Sequence, residues 1–132
     1  MSELHIDVVT PKGIHFSGES IACTAPGSNG EFQLLKDHAA FIAVLRIGAL
    51  KFNMGNNIKI MATSGGFLEV RENRVSIIVE SAEWAENIQV DRARGAEKRA
   101  RERLSHPETH IDVERAQLAL ARALNQLKIA SN

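Results

Sequence analysis

Side chains that could perform catalysis or bind a metal are few in this sequence, and their spacing favours neither role. The five histidines are scattered, and Pro107 separates His106 from His110, so this pair cannot lie on one regular helix face. Cys23 is the only cysteine, which excludes an internal disulfide, and we interpret it as a small buried residue in a strand rather than a reactive thiol. We therefore expect no catalytic residue, no metal site and a chain that is not an enzyme.

Nucleotide-binding and hydrolase motifs do not occur either. The glycine-rich stretch at residues 27–30 is similar to a phosphate-binding loop, but no lysine follows it at the required place and no helix begins there, which favours a tight turn. The acidic residues Glu80, Glu83 and Glu86 have no neighbour in the sequence that would perturb them, so we interpret them as a solvated exit from the last strand.

Basic side chains are concentrated between residues 92 and 103, where six basic residues stand against Glu97 and Glu102. Arg92 and Arg99 are seven positions apart, so on a helix both face the same way, with Arg103 one turn further on. Guanidinium groups bind phosphates and carboxylates. This face is therefore either a solvated charged surface or an anion site, for a nucleotide phosphate or for an acidic patch on a partner.

The elements before residue 85 are predicted to be short strands, because apolar and polar residues alternate there with a period of two. Turn motifs at residues 11–13, 26–30, 53–57 and 72–74 separate these segments. The pattern predicts an antiparallel β-sandwich over residues 1–86. The apolar residues that define the strands are Leu4, Ile6 and Val8; Leu50 and Phe52; Ile58, Ile60 and Ala62; Leu68 and Val70; and Val75 to Val79.

The remainder, residues 87–132, is rich in Ala, Arg, Glu and Leu and is predicted to form an antiparallel two-helix hairpin. Proline at 107 ends the first helix, and Thr109 and Asp112 have the spacing of a capping box for the second. Because alanine methyls bury little area, we expect a hairpin that can detach for a partner. The two apolar stripes are Val90, Ala93, Ala96, Ala100 and Leu104, then Val113, Ala116, Leu120, Ala123 and Leu127.

Composition limits the classes of partner. The formal net charge is zero, so the molecule as a whole has no electrostatic attraction to nucleic acid or anionic lipid. The longest apolar run, residues 39–45, is far shorter than the roughly 18 residues that would span a bilayer. The N-terminal residues lack the basic-then-apolar pattern of a signal peptide, and we expect a soluble protein.

Four segments of the chain resemble one known family, the epsilon subunit of the rotary ATP synthase. Residues 27–41, GSNGEFQLLKDHAAF, are similar to its G-E-x-x-x-x-x-x-H-A stretch. Residues 64–84 resemble its last sandwich hairpin, residues 88–104 its first C-terminal helix, and residues 10–18 its opening T-P-x-G-x-x-F-S-G. The order and spacing of these segments extend the resemblance over nearly the whole chain.

The resemblance implies a non-catalytic rotor subunit of the central stalk, which couples proton-driven rotation to ATP synthesis. The sandwich would pack against the gamma subunit and the c-ring, with Glu31 and His38 in a loop near the ring. The hairpin would extend along gamma toward the alpha/beta catalytic head and inhibit ATP hydrolysis. The location implied is peripheral, on the cytoplasmic face of the bacterial inner membrane.

ATP itself is implied as a regulatory ligand in some bacterial members, through an I/L-D-x-x-R-A motif and further arginines. Gln89 replaces the acid of this motif, and Gln126 stands where an arginine would help to hold phosphate, so both weaken the expectation of ATP binding; no cofactor is required. The candidate contacts to ATP or to the catalytic head are Arg92, Ala93, Arg99 and Arg122.

Two other classes of function are weighed against this one. A free-standing sandwich with a basic hairpin could bind nucleic acid, but zero net charge and few aromatic residues argue against it. A small enzyme is disfavoured because no nucleophile–base pair or metal cluster is recognisable. Recovery of the chain in a membrane complex beside gamma would favour the rotor subunit, and a salt-sensitive gel shift would favour nucleic-acid binding.

Overall fold

The computed structural model describes residues 3–106 and 110–131. The chain divides into two compact units, Met1–Trp84 and Ala85–Asn132. Among the described residues, the regular elements of the first unit are strands and those of the second are helices, which confirms the predicted order of sandwich and hairpin. The strands are β1 (Leu4–Thr10), β2 (Gly13–Ser20), β3 (Ala22–Gly27), β4 (Gly30–Leu35), β5 (Phe41–Asn53), β6 (Ile58–Arg71), β7 (Arg74–Val79) and β8 (Ala82–Trp84).

The strands form one sheet in the order β2-β1-β7-β6-β5-β3-β4, with β8 also paired to β6. Only β1 and β7 pair in parallel among the described strands; every other pair is antiparallel. The long strand β6 belongs to both layers, because its residues 61–63 pair with β8 whereas its residues 66–71 pair with β7. The sheet thereby folds over on itself into a sandwich.

The corner of the fold lies at Gly65 and Gly66. Both have positive φ values, +98° and +156°, which residues with a side chain rarely adopt. A Cβ atom on Gly66 would also collide with the carbonyl oxygen of Ile78. Glycine is therefore required here both for the bend of β6 and for its close approach to β7.

The core of the sandwich contains the predicted alternating residues, with one exception. Leu4, Ile6 and Val8 are fully buried, as predicted. In β6 the prediction is correct for Ala62, which is 5% exposed, but wrong for Ile58, which is 61% exposed, and it missed the fully buried Met61. The reason is the register with β5, which pairs Leu50 with Met61 and so puts Met61 on the core face.

Aromatic rings complete the core where β2, β5 and β8 meet. The ring of Phe16 lies 5.5 Å from that of Phe52 and 5.2 Å from that of Trp84, the latter edge to face. The Nζ atom of Lys59 lies 4.4 Å from the centroid of the Trp84 ring. This cation–π contact explains how a lysine is accommodated on the core face of β6.

The helical unit begins with a 3-10 turn, Ala85–Asn87, followed by α1 (Val90–Ser105) and α2 (His110–Ala130). The alanines at the centres of the predicted stripes are buried, at Ala93 and Ala100 in α1 and at Ala116 and Ala123 in α2. The two helices pack along each other, as small residues at the contact allow. The predicted capping residue Thr109 lies outside the described residues.

One buried polar group offers a test of the core. The Thr63 side chain is 3% exposed, and its hydroxyl has no hydrogen-bond partner among the described residues. Thr63→Val replaces this hydroxyl with a methyl group of similar size, so we expect the free energy of unfolding to rise by about 1 kcal/mol, measured by urea denaturation.

Ser20→Ala is the matched control. The buried Ser20 hydroxyl lies 2.6 Å from the carbonyl oxygen of Ala22 and 3.0 Å from that of Asn53. Its removal should lower the free energy of unfolding by about 1 kcal/mol. Equal or lower stability of Thr63→Val would show that the threonine hydroxyl is satisfied in solution.

Candidate functional site

One outer face of the sheet carries apolar side chains in a row across five strands. Residues paired across neighbouring strands lie on the same face, and the register aligns one residue from each of β5, β6, β7, β1 and β2. Four of the five are 53–71% exposed, and Val9 is partly exposed. At about 4.8 Å per strand the row is about 19 Å long. We call this set the apolar row: Val44, Phe67, Ile78, Val9 and Ile14.

Sequence reasoning did not find the apolar row. The alternation that predicted the strands identifies the core-facing residues, Leu68 and Val70 among them, and leaves the opposite face undescribed. The sequence pattern that could have predicted the apolar row is the presence of apolar residues at consecutive positions, as in Ile77–Ile78 and Val8–Val9. Such pairs place apolar side chains on both faces of a strand.

Polar groups occupy the same face further from the apolar row. The Ser17 hydroxyl donates to Asp7 Oδ1 at 2.7 Å, and His5 Nε2 lies 3.3 Å from the same oxygen. The hydrogen bond from Ser17, helped by the attraction of His5, outweighs the opposing effect of desolvation and holds the pKa of Asp7 below its usual value. Glu19 and Arg74 extend this charged cluster, at 3.2 Å from His5 and 3.9 Å from Asp7. The face therefore changes from apolar to charged along the strands.

The structure does not place Glu31 and His38 in one loop. Glu31 is an exposed residue within β4, paired with Pro26 across the hairpin. His38 lies beyond β4, in the loop before β5. Four residue steps of extended strand, about 13 Å, separate Glu31 from the start of that loop. The expectation of a shared loop is wrong because residues 30–35 continue the β-hairpin.

The loop of residues 36–40 holds His38 in a defined position. Its backbone N–H donates to the carbonyl oxygen of Leu35 at 3.2 Å, and its Nδ1 lies 2.7 Å from the carbonyl oxygen of Ala39. The imidazole packs edge-on against the ring of Phe41, at 5.6 Å, and Phe41 packs against Phe32, at 5.3 Å. His38 is thus exposed but packs on Phe41, which in turn packs on Phe32.

The basic residues of α1 lie on two opposite sides of the helix. At 100° per residue, Arg92, Arg99 and Arg103 fall within about 40° of one another, as the sequence predicted. Arg94, Lys98 and Arg101 fall on the other side, where they line an open groove together with Glu97, Glu102 and Ser105.

Charge is partly neutralised in this groove. Both Nε and Nη2 of Arg101 lie close to Glu97 Oε2, at 3.0 and 2.9 Å. The side of α1 that carries Arg92 and Arg99 has no acidic residue interleaved in that way. On α2, Arg122 is exposed. The arginine side is accordingly the more suitable for an acidic surface or a phosphate.

Gln89, where the nucleotide motif would have an acid, occupies the N-cap of α1. Its carbonyl oxygen accepts from the Ala93 N–H at 3.0 Å, but its side chain makes no capping hydrogen bond. Glutamine is not among the residues that cap helices well. This position thus affects helix stability whether or not a nucleotide binds.

Three other features would bear on function: a metal site, a reactive thiol and a membrane-spanning helix. No group of three His, Cys, Asp or Glu side chains among them is placed to hold a metal ion. Cys23 is buried in β3, and burial raises the pKa of its thiol to about 12. In the part of the chain that the structure describes, neither helix is long and apolar enough to cross a membrane.

Two family models together match almost the whole chain. Residues 3–85 match the β-sandwich domain of the ATP synthase delta/epsilon chain, and residues 86–131 match the long α-helix domain of the same chain. An ATP synthase epsilon chain from Desulforamulus reducens is 40% identical over 125 residues, which cover 95% of each chain.

Solved structures share the fold. A chain in the Euglena gracilis mitochondrial ATP synthase, from a structure of OSCP, F1 and c-ring, superposes with a TM-score of 0.84 at 20% identity, covering 100% of this chain and 83% of that one. A chain from the central stalk and c-ring of the Tetrahymena thermophila mitochondrial ATP synthase gives 0.65 at 17% identity, covering 96% of each.

A β-sandwich with an exposed apolar row, followed by a two-helix hairpin with a basic face, is the class of protein that the fold and the site define. More specifically, this chain belongs to the ATP synthase delta/epsilon chain family.

The N-cap position gives a test that separates helix stability from nucleotide binding. Gln89→Asp introduces a good N-cap next to the positive end of the helix dipole. We expect the helical unit to gain about 1 kcal/mol without any nucleotide, measured by thermal denaturation followed at 222 nm. Gln89→Asn, an uncharged residue of similar capping strength, should give a similar gain. A gain from aspartate alone, and only with ATP present, would instead assign the carboxylate to nucleotide binding.

Proposed function

We propose that this chain is a non-catalytic rotor subunit of an ATP synthase central stalk and helps to couple proton-driven rotation to ATP synthesis. Family membership over the whole length supports the proposal, as does the name of the Desulforamulus reducens relative. The single observation that carries it is the apolar row, since a subunit of this kind must hold a partner while torque is transmitted. A peripheral position at the cytoplasmic face of the membrane is part of the proposal.

The gamma subunit is the partner we propose for the apolar row. Exposed apolar side chains that are contiguous over about 19 Å are unusual on a free monomer and are typical of a protein–protein interface. Ile78 is the middle residue of the row, and Phe67, its largest side chain, lies between Ile78 and Val44. The charged cluster around Asp7 then forms a polar margin at one side, as interfaces commonly have.

For the c-ring we propose contacts from Glu31 and His38, at separate positions along β4 and the loop that follows. Both side chains are exposed. A carboxylate and an imidazole suit the polar groups of another chain better than they suit lipid. The two contacts are independent of each other, since one side chain belongs to a strand and the other to a loop.

For the hairpin we propose contact with the alpha/beta catalytic head, which inhibits ATP hydrolysis. The arginine side of α1 supports an acidic partner surface. The buried residues at the helix contact are largely alanines, and each contributes little apolar area. A contact of this kind can be exchanged for another at small cost. ATP would act here only as a regulatory ligand at the same arginines.

Phe67→Asp tests the contact with gamma. The side chain is 58% exposed, so the sandwich should remain folded, but a charge within an apolar interface should weaken gamma binding at least tenfold. Binding is measured by titrating purified gamma with the full chain. Ile58→Asp is the control, because Ile58 is 61% exposed on the same strand but lies outside the apolar row. Equal binding of gamma by wild type and both variants would show that the apolar row is not part of the interface with gamma.

Truncation after Glu86 tests the role of the hairpin. The shortened chain keeps every residue of the sandwich core, from Leu4 to Trp84, and should fold and assemble. Hydrolysis of ATP by the assembled complex should rise, because the inhibitory contact with the head is removed. The measurement is steady-state ATPase activity of the reconstituted complex.

Charge reversal in the full-length chain provides the matched comparison. Arg99→Glu with Arg103→Glu should reproduce part of the increase in hydrolysis, whereas Arg94→Glu, on the opposite side of α1, should not. Unchanged hydrolysis in a correctly assembled truncated complex would mean that this chain lacks the inhibitory role.

A further inference from the structure

Backbone strain in the sandwich is concentrated at one place. Three non-glycine residues have positive φ among those the structure describes, namely Asp37 at +66°, Glu72 at +50° and Asn73 at +64°. Asp37 belongs to the loop between β4 and β5, and the other two form the turn between β6 and β7. Left-handed backbone is costly for residues with a side chain, although Asn and Asp adopt it more readily than others. Strain of this kind persists where surrounding contacts impose it.

Hydrogen bonds join these two segments in both directions. The backbone N–H of Asp37 donates to Asn73 Oδ1 at 2.6 Å, and Asn73 Nδ2 donates to Asp37 Oδ1 at 3.3 Å. The carbonyl oxygen of Asn73 also accepts from the backbone N–H of His5 at 2.8 Å. Asn73 therefore connects its own turn, the start of β1 and the β4–β5 loop. We call the reciprocal pair the Asp37–Asn73 clasp.

His38 directly follows the residue that the clasp holds. Its imidazole rests on Phe41 at the far end of the same short loop. The loop is therefore fixed at Asp37 by the clasp and at its other end by the start of β5. Without the clasp, the described contacts left to residues 36–40 would include the turn from Leu35 to His38, the contact of His38 Nδ1 with the carbonyl oxygen of Ala39 and the ring contact with Phe41, all of them local to this loop.

We propose that Asn73 is a positioning residue, which orders the β4–β5 loop before binding and so presents His38 to a polar surface of the c-ring. The inference rests on the proposed function for the identity of that partner. A loop ordered in advance loses less conformational freedom on binding, which strengthens the contact without adding an interaction. Asn73 itself need not touch the partner.

Hydrogen exchange in the isolated full chain tests the clasp apart from any partner. Asn73→Gly keeps the left-handed backbone and the carbonyl bond to His5 but removes the amide. The Asp37 amide should then exchange about fivefold faster, as expected for the loss of one ordinary hydrogen bond. Glu72→Gly is the control, because it has the same backbone requirement in the same turn and makes no clasp. It should leave exchange at Asp37 unchanged.

Binding to ATP synthase particles depleted of this subunit tests the role in positioning. Asn73→Gly should bind about fivefold more weakly than wild type, and Glu72→Gly should bind as wild type does. Asn73→Asp places a second carboxylate against Asp37 and should also weaken binding. The double variant Asn73→Asp with Asp37→Asn restores an amide–carboxylate pair in the opposite sense and should recover both binding and slow exchange.

The possible results separate the two proposals. If wild type does not rebind depleted particles, the proposed function fails, whereas exchange at Asp37 still reports on the clasp. If exchange at Asp37 is unaffected by Asn73→Gly, or rises while binding stays at the wild-type value, Asn73 is not a positioning residue. Failure of the exchanged pair to restore binding would overturn the proposal in the same way.

Discussion

The register of β6 between β5 and β7 is the constraint on which the rest of the sandwich depends. Side chains alternate between faces, so a shift of one residue would exchange the two faces of the strand. In the observed register Leu68 and Val70 are buried while Phe67 lies outside with Val44 and Ile78. Gly66 fixes this register, because only a residue without a Cβ atom fits against the backbone of β7 at that point. The register of β6 thus determines both which residues form the core and which form the proposed partner surface.

The general fold was predictable from the sequence because two periodicities divide the chain clearly. Alternation marks the sandwich, and three- and four-residue spacing of alanines marks the hairpin. The error at β6 arose where apolar residues occupy both faces, since Ile60 and Met61 are neighbours and their alternation does not identify the core side. Only pairing with Leu50 decides it. Cross-strand partners of this kind are far apart in sequence and leave no local pattern.

The candidate site was less predictable than the fold. Helical spacing correctly grouped Arg92 with Arg99, because the geometry of a helix is set locally. The apolar row, by contrast, takes one residue from each of five strands, and its members are as many as 69 positions apart, from Val9 to Ile78. The relation of Glu31 to His38 was also missed, because the end of an edge strand depends on its neighbour β3 rather than on its own composition.

The burial of Cys23 has a practical consequence for studying the assembled motor. The native chain has a single cysteine, its thiol is enclosed by the core, and its pKa is raised to about 12. The thiol is therefore almost wholly protonated near neutral pH, and the thiolate is the species that reacts. We therefore expect Cys23 not to react with maleimide reagents in the folded chain. A fluorophore or cross-linker attached to a cysteine introduced on the sheet or on α1 would report from that position alone, without prior removal of the native residue.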